Sequence, residues 1–307
     1  MQQRKNFYSK ILLFGEYALI VGSEALSVPY RELYGSFVFG GKSGDKAFDS
    51  NGHLKKYAGY LRRLFQKGSL PGQLNISQFE KEIDEGLTFE SNIPLGYGLG
   101  SSGALVAAVY ERYARFKIPE EDLITLKGVF AAMESYFHGK SSGLDPLVCY
   151  LQKAVKVEKN NRLQVVEQPH FEKKSDGGLF LLDTATTGET QPLVNYFMGQ
   201  CQKPDFLQQI KSKLVPLNAK CIRAYLTGDS AALFSCMEKL SASTLRYFRP
   251  MVPEKLFPLW EKGWKDKSCF LKLCGSGGGG MMLGVTRNFE KAKELLNSFS
   301  LEIFQEF

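Results

Sequence analysis

The residues best suited to chemistry lie in a glycine-spaced loop that runs into an apolar stretch, from Pro94 to Ala104. Alternating glycines permit positive φ and let the backbone approach a ligand closely. Two serines stand where a helix would begin, as its cap and first turn, and Ala-Leu-Val-Ala-Ala-Val favours its continuation. Free N–H groups at a helix start bind phosphate, and a serine hydroxyl can reach a metal ion. The predicted phosphate-binding residues are Gly96, Gly98, Leu99, Gly100, Ser101, Ser102 and Gly103.

The alternative interpretation of this loop is an ordinary glycine turn that caps a helix. Such a turn needs one or two glycines, whereas three precede the serines here. The loop also lacks the lysine of the G-x-x-x-x-G-K-[ST] pattern. Any lysine that the chemistry requires must therefore come from elsewhere in the chain.

Three charged residues in apolar surroundings are candidates for such chemistry. Lys10 opens a predicted strand, where it lies either at the sheet margin or in a cavity with a partner. Glu134 falls near the apolar face of a predicted helix, which favours partial burial in an ion pair or at a solvated boundary. Asp145 follows a second small-residue loop and could simply cap a helix.

Composition narrows the functional class. The chain has 307 residues, 44% of them hydrophobic, and a formal net charge of +7. Its lysines and arginines occur as scattered pairs and not as one block. This distribution favours a small anionic ligand over nucleic acid. The six cysteines form no C-x-x-C pair, which predicts free thiols in a reducing cytosol. Gly15 and Glu16 interrupt the apolar runs near the N-terminus, so we expect no signal peptide, no membrane span and a cytoplasmic location.

The elements that must position these residues follow from periodicity and from glycine and proline signals. We predict β structure over 10–40, including a strand at 17–21, then a polar loop at 41–52, a helix at 53–67, strands at 72–76 and 86–90, helices at 101–116 and 120–138, and a hairpin at 153–166. Beyond Asp176-Gly177-Gly178 we predict a strand at 179–182, helices over 191–263, and strands at 270–274 and 281–285. Between these last strands lies the run Gly275–Gly280. Because a strand follows this run, it is not a dinucleotide fingerprint, and we expect a backbone wall that comes close to a bound ligand.

Three segments, in order, resemble the signature motifs of the GHMP kinase superfamily. They are Lys10-Ile-Leu-Leu-Phe-Gly-Glu-Tyr-Ala-Leu-Ile-Val-Gly, the loop from Pro94 to Ala104, and Lys272-Leu-Cys-Gly-Ser-Gly-Gly-Gly-Gly. Within the superfamily the pattern Glu134…His138-Gly139…Ser142-Gly143…Asp145 is most similar to mevalonate kinase. The resemblance covers nearly the whole chain.

The resemblance implies a two-domain α+β GHMP kinase fold. Its N-terminal domain would resemble domain 2 of ribosomal protein S5, and its C-terminal domain would be ferredoxin-like. The ATP-binding domain would span residues 1–176 and the C-terminal domain residues 177–307.

The resemblance also implies a role for each candidate residue. Asp145 would take the proton of an acceptor hydroxyl, with Lys10 beside it as the second catalytic residue. The glycine-spaced loop would bind the phosphates of ATP, and Ser102 and Glu134 would hold Mg²⁺, whose preferred ligands are hard oxygens. The implied substrate-binding residues are Glu16, Tyr17, His138, Ser142, Gly277 and Gly278.

The implied activity is transfer of the γ-phosphoryl group of ATP to an alcohol, most simply mevalonate to 5-phosphomevalonate in the route to isoprenoids. Alternatives are a phosphomevalonate or sugar acceptor, or an inactive relative that binds a metabolite. We expect a small-molecule partner, no nucleic acid and no membrane, and a homodimer is one assembly that the resemblance allows. The chain departs from the mevalonate kinase pattern at Tyr17 (usually histidine), Gly103 (alanine), Ser141 (proline) and Pro146 (asparagine).

Overall fold

The computed structural model describes residues 4–40, 51–68, 74–173, 175–188 and 190–307. The chain forms two compact units, each assembled from separate segments. The first comprises Met1–Ile11, Ser27–Pro94 and Gly100–Val155, and the second comprises Leu12–Leu26, Leu95–Leu99 and Lys156–Phe307. The predicted domain boundary between residues 176 and 177 stays a prediction.

A five-stranded sheet contains the N-terminal strands. Its members are β1 (Phe7–Phe14), β2 (Ala25–Phe39), β3 (Leu87–Ser91), β4 (Ala154–Val157) and β5 (Leu163–Val166). The order is β1-β2-β4-β5, and β3 pairs antiparallel with the C-terminal part of β2, with Phe37 opposite Phe89. The predicted hairpin at 153–166 is confirmed as β4 and β5, joined through a 3-10 turn at Lys159–Asn161.

In the described residues of the first unit, five helices accompany this sheet. They are α1 (Asn51–Gln66), α2 (Ile76–Asp84), α3 (Ser101–Tyr113), α4 (Leu123–His138) and α5 (Leu144–Leu151). Every residue of α3 from Ser102 to Tyr110 is buried. A helix that is buried all round has little freedom to shift, so α3 holds the end of the glycine-spaced loop in a fixed place.

Three local predictions fare differently. The segment 17–21 is not a strand: Ala18–Val21 is a 3-10 turn, because Tyr17 before it has a positive φ of 58°. The predicted strand at 72–76 is wrong at its described end, where Ile76 begins α2 with Asn75 as its cap. Residues 72 and 73 of this predicted strand lie outside the described residues, as does most of the predicted polar loop at 41–52.

The second unit is built on a four-stranded antiparallel sheet. Its strands are β6 (Gly178–Asp183), β7 (Phe270–Leu273), β8 (Met281–Thr286) and β9 (Ser300–Glu306), in the order β7-β8-β6-β9. This order and antiparallel pairing match the ferredoxin-like arrangement that the resemblance implies. Gly284 lies opposite Phe180 in the pairing of β6 with β8, and a Cβ at Gly284 would lie 2.2 Å from the Phe180 ring.

Six α-helices lie in the part of this unit that the structure describes, and most of them begin at a recognisable signal. They are α6 (Thr190–Cys201), α7 (Pro204–Gln209), α8 (Val215–Leu226), α9 (Ser230–Tyr247), α10 (Phe257–Asp266) and α11 (Phe289–Leu295). Proline stands in the first turn of α7, α8 and α10, and the Asp229 side chain accepts a hydrogen bond from the Ala232 amide to cap α9. None of the helices in the described part of the chain is long and apolar enough to cross a membrane.

Within the described residues, no disulfide joins any two of the six cysteines. Cys236 on α9 differs from its neighbours because the buried Cys221 thiol donates a hydrogen bond to its sulfur, which lowers the pKa of Cys236 to about 6. The positive charges of Lys239 and Lys220 also lower the pKa of Cys236. Burial raises the pKa of Cys149, Cys201 and Cys269.

We therefore expect Cys236 to be the first thiol to react with iodoacetamide near neutral pH. The thiolate is the nucleophile, and above about pH 6 Cys236 is the thiol that carries it, whereas thiols with raised pKa values stay protonated. Peptide mapping of briefly labelled protein at about pH 6.5 measures the order. Faster labelling of Cys201, which is also partly exposed, would contradict this expectation.

Candidate active site

The glycine-spaced loop adopts the backbone conformation for which its glycines are needed. Gly96, Gly98 and Gly100 have φ values of 76°, 71° and 79°. This left-handed region carries no steric cost for glycine and is strained for other residues. Gly100 is the N-cap of α3, so both serines lie within the first turn, and the predicted serine cap is wrong.

Ser102 turns its hydroxyl toward a buried carboxylate on α4. Its Oγ donates a hydrogen bond of 2.9 Å to Oε1 of Glu134, and the Ser141 hydroxyl donates to Oε2 of the same carboxylate. Burial and the charge of Asp145 raise the pKa of Glu134 to about 7, although both hydroxyls and Lys10 oppose the shift. A buried carboxylate in this state gains stability from a nearby cation.

His138 lies one turn beyond Glu134 on α4 and also contacts Ser102. Its Nε2 is 3.0 Å from the Ser102 Oγ. Burial lowers the pKa of His138, which favours the neutral imidazole at neutral pH. Because the hydroxyl proton of Ser102 goes to Glu134, we assign the His138 proton to Nε2, which then donates to Ser102.

Lys10 and Asp145, which also belong to the first unit, form an ion pair. The Lys10 Nζ lies 2.8 Å from Oδ2 of Asp145, and their side chains are 4% and 37% exposed, respectively. The lysine projects from β1, and the aspartate lies in the first turn of α5. The pair therefore joins a buried ammonium to a carboxylate that solvent or a substrate can reach.

Two glycines allow these groups to come together. A Cβ at Gly100 would lie 2.9 Å from Cγ of Lys10, so the glycine leaves a path for the lysine stem. A Cβ at Gly103 would lie 3.0 Å from the Asp145 carbonyl carbon and from the Pro146 nitrogen. The close approach of α3 to the start of α5 explains why glycine replaces the alanine that is usual at position 103.

Ser102 and Glu134 suit Mg²⁺ as the resemblance implies. Both offer oxygen ligands, and the raised pKa of Glu134 indicates that its buried charge would be stabilised by a cation. Within the described ranges, no group of three or more histidine, cysteine or acidic side chains could hold a metal ion. A set of one hydroxyl and one carboxylate still fits this ion, which usually keeps several waters and takes further ligands from substrate phosphates.

In the second unit, Glu16 forms a buried ion pair. Its Oε1 lies 2.5 Å from Nζ of Lys272 on β7, and the two side chains are only 7% and 2% exposed. The ammonium also donates to the Leu273 carbonyl and lies 5.7 Å from the centre of the Phe14 ring. Burial raises the pKa of Glu16, and the charge of Lys272 acts against that shift.

Two other loops of the second unit, one at Tyr97 and one at Thr186, contact the run Gly275–Gly280. A Cβ at Gly280 would lie 2.7 Å from the Cα of Tyr97, and one at Gly279 would lie 2.6 Å from the Thr186 carbonyl oxygen. The Gly280 amide donates to that same Thr186 oxygen over 2.5 Å. These glycines thus allow other backbone segments of the protein to pack closely against the run, and its close approach to a bound ligand stays a prediction.

The predicted site residues thus fall into two sets. In the first unit Lys10 pairs with Asp145, and Ser102 contacts Glu134 and His138. Ser142 binds the Leu144 amide, which is a local contact at the start of α5. In the second unit Glu16 pairs with Lys272, Tyr17 donates to the Ser276 carbonyl, and Gly277 and Gly278 pack against Met251 and Leu193. The functional roles of all these residues stay predictions.

The sequence-based selection did not include two residues that the site depends on. Ser141 appeared only as a departure from a usual proline, yet its hydroxyl binds Glu134. Lys272 appeared only as the start of a motif, yet it balances Glu16. A lysine inside the apolar strand Phe-Leu-Lys-Leu was the available signal, because a buried ammonium requires a partner.

Part of the chain matches a known protein family. Residues 55–153 match the family model for the GHMP kinases N terminal domain. No curated protein sequence matches the chain. The match covers the glycine-spaced loop, Glu134 and Asp145, so the resemblance to GHMP kinases is confirmed over this segment.

Solved structures extend the match to both units. L. major mevalonate kinase, solved with R-mevalonate, has a TM-score of 0.66 at 14% identity, covering 100% of this chain and 98% of that one. Streptococcus pneumoniae phosphomevalonate kinase has a TM-score of 0.64 at 14% identity, with 99% of each chain covered. Lactococcus lactis galactokinase, solved with galactose, has a TM-score of 0.66 at 15% identity, covering 99% of this chain and 94% of that one. At these identities the likeness establishes the GHMP kinase fold.

Proposed function

We propose that this chain, which has the GHMP kinase fold and a GHMP kinase N-terminal domain, transfers the γ-phosphoryl group of ATP to an alcohol. The observation that carries the proposal is the 2.8 Å ion pair of Lys10 with Asp145, in the same unit as the contact of Ser102 with Glu134. Phosphoryl transfer depends mainly on positioning and charge stabilisation, with a group that accepts the proton of the attacking hydroxyl.

Asp145 is the residue that accepts this proton in the proposal. Its side chain is more than one-third exposed, so an acceptor hydroxyl can approach it, while Oδ2 is held by Lys10. The Lys10 ammonium is buried and already fixed by its partner, and therefore needs little reorganisation as charge develops. It stabilises negative charge on the carboxylate and on the attacking oxygen.

The start of α3 binds the phosphates of ATP in the proposal. Among the described residues no side chain caps this helix, so the amides of its first turn are available to a ligand. The buried body of α3 fixes the direction in which these N–H groups point. Ser102 and Glu134 would hold Mg²⁺, which supplies neutralisation of the phosphate charge when it is bound.

Mevalonate is the acceptor that we propose, with 5-phosphomevalonate as the product. The pattern from Glu134 through His138 to Asp145 supports it, as does the likeness to a mevalonate kinase that was solved with R-mevalonate. The alternative acceptors are phosphomevalonate and a sugar, because a phosphomevalonate kinase and a galactokinase have similar folds. An inactive metabolite-binding relative is disfavoured because Lys10 and Asp145 form the ion pair that the chemistry requires.

An ADP-release assay over a panel of alcohols tests the proposal. The panel contains mevalonate, phosphomevalonate, homoserine and galactose, each with ATP and Mg²⁺. We expect turnover with mevalonate that EDTA abolishes and excess Mg²⁺ restores, because the phosphates and Glu134 require a cation.

Each other outcome has a distinct meaning. Turnover with another alcohol but not with mevalonate would retain the kinase and reject the acceptor. Binding of ATP without turnover of any alcohol would reject the enzyme in favour of the metabolite-binding relative.

A further inference from the structure

Tyr17 follows Glu16 directly and holds an unusual backbone conformation. Its φ of 58° and ψ of −38° place a residue with a bulky side chain in a region that such residues rarely occupy. A conformation of this kind persists only when the surrounding contacts favour it. The contacts of the Tyr17 side chain are therefore expected to matter.

The Tyr17 ring is packed within the second unit rather than directed to solvent. Its centre lies 5.0 Å from the Phe197 ring and 5.2 Å from the Phe248 ring, and the residue is 5% exposed. The rings of Phe197 and Phe248 are themselves 5.9 Å apart, so the three form one aromatic cluster. This cluster fixes the direction of the phenol.

The phenol hydroxyl reaches the run Gly275–Gly280. It donates a hydrogen bond of 2.5 Å to the Ser276 carbonyl oxygen. Two residues further, the Gly278 amide donates to the Met251 carbonyl over 2.6 Å, and after two more the Gly280 amide donates to the Thr186 carbonyl over 2.5 Å. Hydrogen bonds thus fix the run at residues 276, 278 and 280, and Tyr17 donates the one nearest its N-terminal end.

A run with five glycines in six residues needs such holds. Glycine loses more backbone freedom on ordering than any other residue, so the run would otherwise sample many conformations. A hydrogen bond from a rigid aromatic side chain restricts the Ser276 peptide at little further entropic cost. Histidine, which is usual at position 17 in mevalonate kinases, is shorter and would not reach as far.

We propose that Tyr17 is a positioning residue that holds Gly275–Gly280 against the glycine-spaced loop, and is not a ligand of the acceptor alcohol. The run meets that loop at Tyr97, whose Cα would lie 2.7 Å from a Cβ at Gly280, and the loop leads into the start of α3, to which we assign the phosphates of ATP. This role rests on the proposed function. Its hydroxyl is already engaged by Ser276 and its ring by two phenylalanines, which leaves the protein rather than the substrate as its partner.

The test compares Tyr17→Phe with Tyr225→Phe. Both variants lose one hydroxyl from a buried tyrosine of the second unit, but the Tyr225 hydroxyl has no hydrogen-bond partner in the described part of the chain. We expect Tyr17→Phe to raise KM for ATP by roughly 3- to 10-fold, which is the effect of losing one hydrogen bond. The kcat and the KM for the acceptor should change by less than about 2-fold. Tyr225→Phe should leave all three constants unchanged.

Hydrogen exchange provides a readout that does not depend on catalysis. In Tyr17→Phe the amides of residues 275–280 should exchange faster, while those of the distant strand β9 keep their rate. Unchanged exchange in the run would overturn the proposal, and so would a rise in KM for the acceptor alone. If the wild-type protein has no kinase activity, the proposed function fails, and the exchange experiment still decides whether Tyr17 holds the run.

Discussion

Replacing Asp145 with asparagine is expected to lower turnover by roughly 10²- to 10⁴-fold, the range for loss of a general base. The amide has the shape of the carboxylate but cannot take the acceptor proton, and it removes the negative charge that lies 2.8 Å from the buried Lys10 ammonium. ATP affinity should change far less, because the phosphate-binding amides belong to α3. Steady-state ADP release together with an ATP-binding titration separates these two effects.

The matched control for this variant is Asp84→Asn. Asp84 also pairs with a lysine in the first unit, at 2.7 Å from Lys55, but both side chains are exposed. Exposed pairs contribute about 0–1 kcal/mol, and no role in catalysis is proposed for this one, so turnover should be unchanged. Normal turnover in Asp145→Asn would remove this aspartate from the mechanism.

Replacing Lys272 with methionine is expected to reduce the free energy of unfolding by about 3–5 kcal/mol. The change removes the partner of a carboxylate that is 7% exposed, and an unpaired buried charge is costly. Urea denaturation followed by tryptophan fluorescence measures the loss. A double variant with Glu16→Gln should recover much of it, because no buried charge then remains.

The destabilisation of Lys272→Met, measured as the loss in free energy of unfolding, should also grow as the pH rises. Burial already raises the pKa of Glu16 in the presence of Lys272, and removing the lysine takes away the opposing charge. The folded variant then keeps Glu16 protonated where the unfolded chain, with a glutamate pKa of about 4.3, has released the proton. Because the folded state binds more protons, stability falls as pH rises, by about 1.4 kcal/mol per pH unit until the folded-state pKa is reached.

Urea denaturation of Lys272→Met and the wild-type protein at about pH 5 and about pH 8 measures this trend. The control is the exposed ion pair of Lys173 with Glu306 in the same unit. Lys173→Met should leave the free energy of unfolding nearly unchanged at either pH, because both side chains of this pair are exposed. Equal loss in the two lysine variants would mean that burial of the Glu16–Lys272 pair carries no special cost.

The strongest sequence signals correctly predicted the helices that carry the candidate site. Alternating glycines before Ser101 predicted the loop and the start of α3, and the row of apolar residues around Glu134 predicted α4 and the burial of its carboxylate. These signals are local: each depends on backbone conformation or on one helix face. They therefore survive without knowledge of the tertiary structure.

Features that depend on distant partners were not visible in the sequence. Tyr17–Val21 has the composition of a strand, but the aromatic contacts of Tyr17 with Phe197 and Phe248 accompany a turn instead. Lys272 lies 256 positions from Glu16 along the chain, and no local pattern joins them. The pairing of Lys10 with Asp145 could be proposed only because a family resemblance linked the two segments.

The tight approach at Gly103 limits how this protein can be redesigned. Substitution toward the residue most frequent among relatives is a common route to greater thermal stability, and alanine in a helix is normally favourable. Here the added methyl group would meet the backbone that carries Asp145, at 3.0 Å. An alanine there gains helix propensity only if the start of α5 gives way by a few tenths of an ångström, so a frequency-guided library should treat position 103 together with its neighbours on α5.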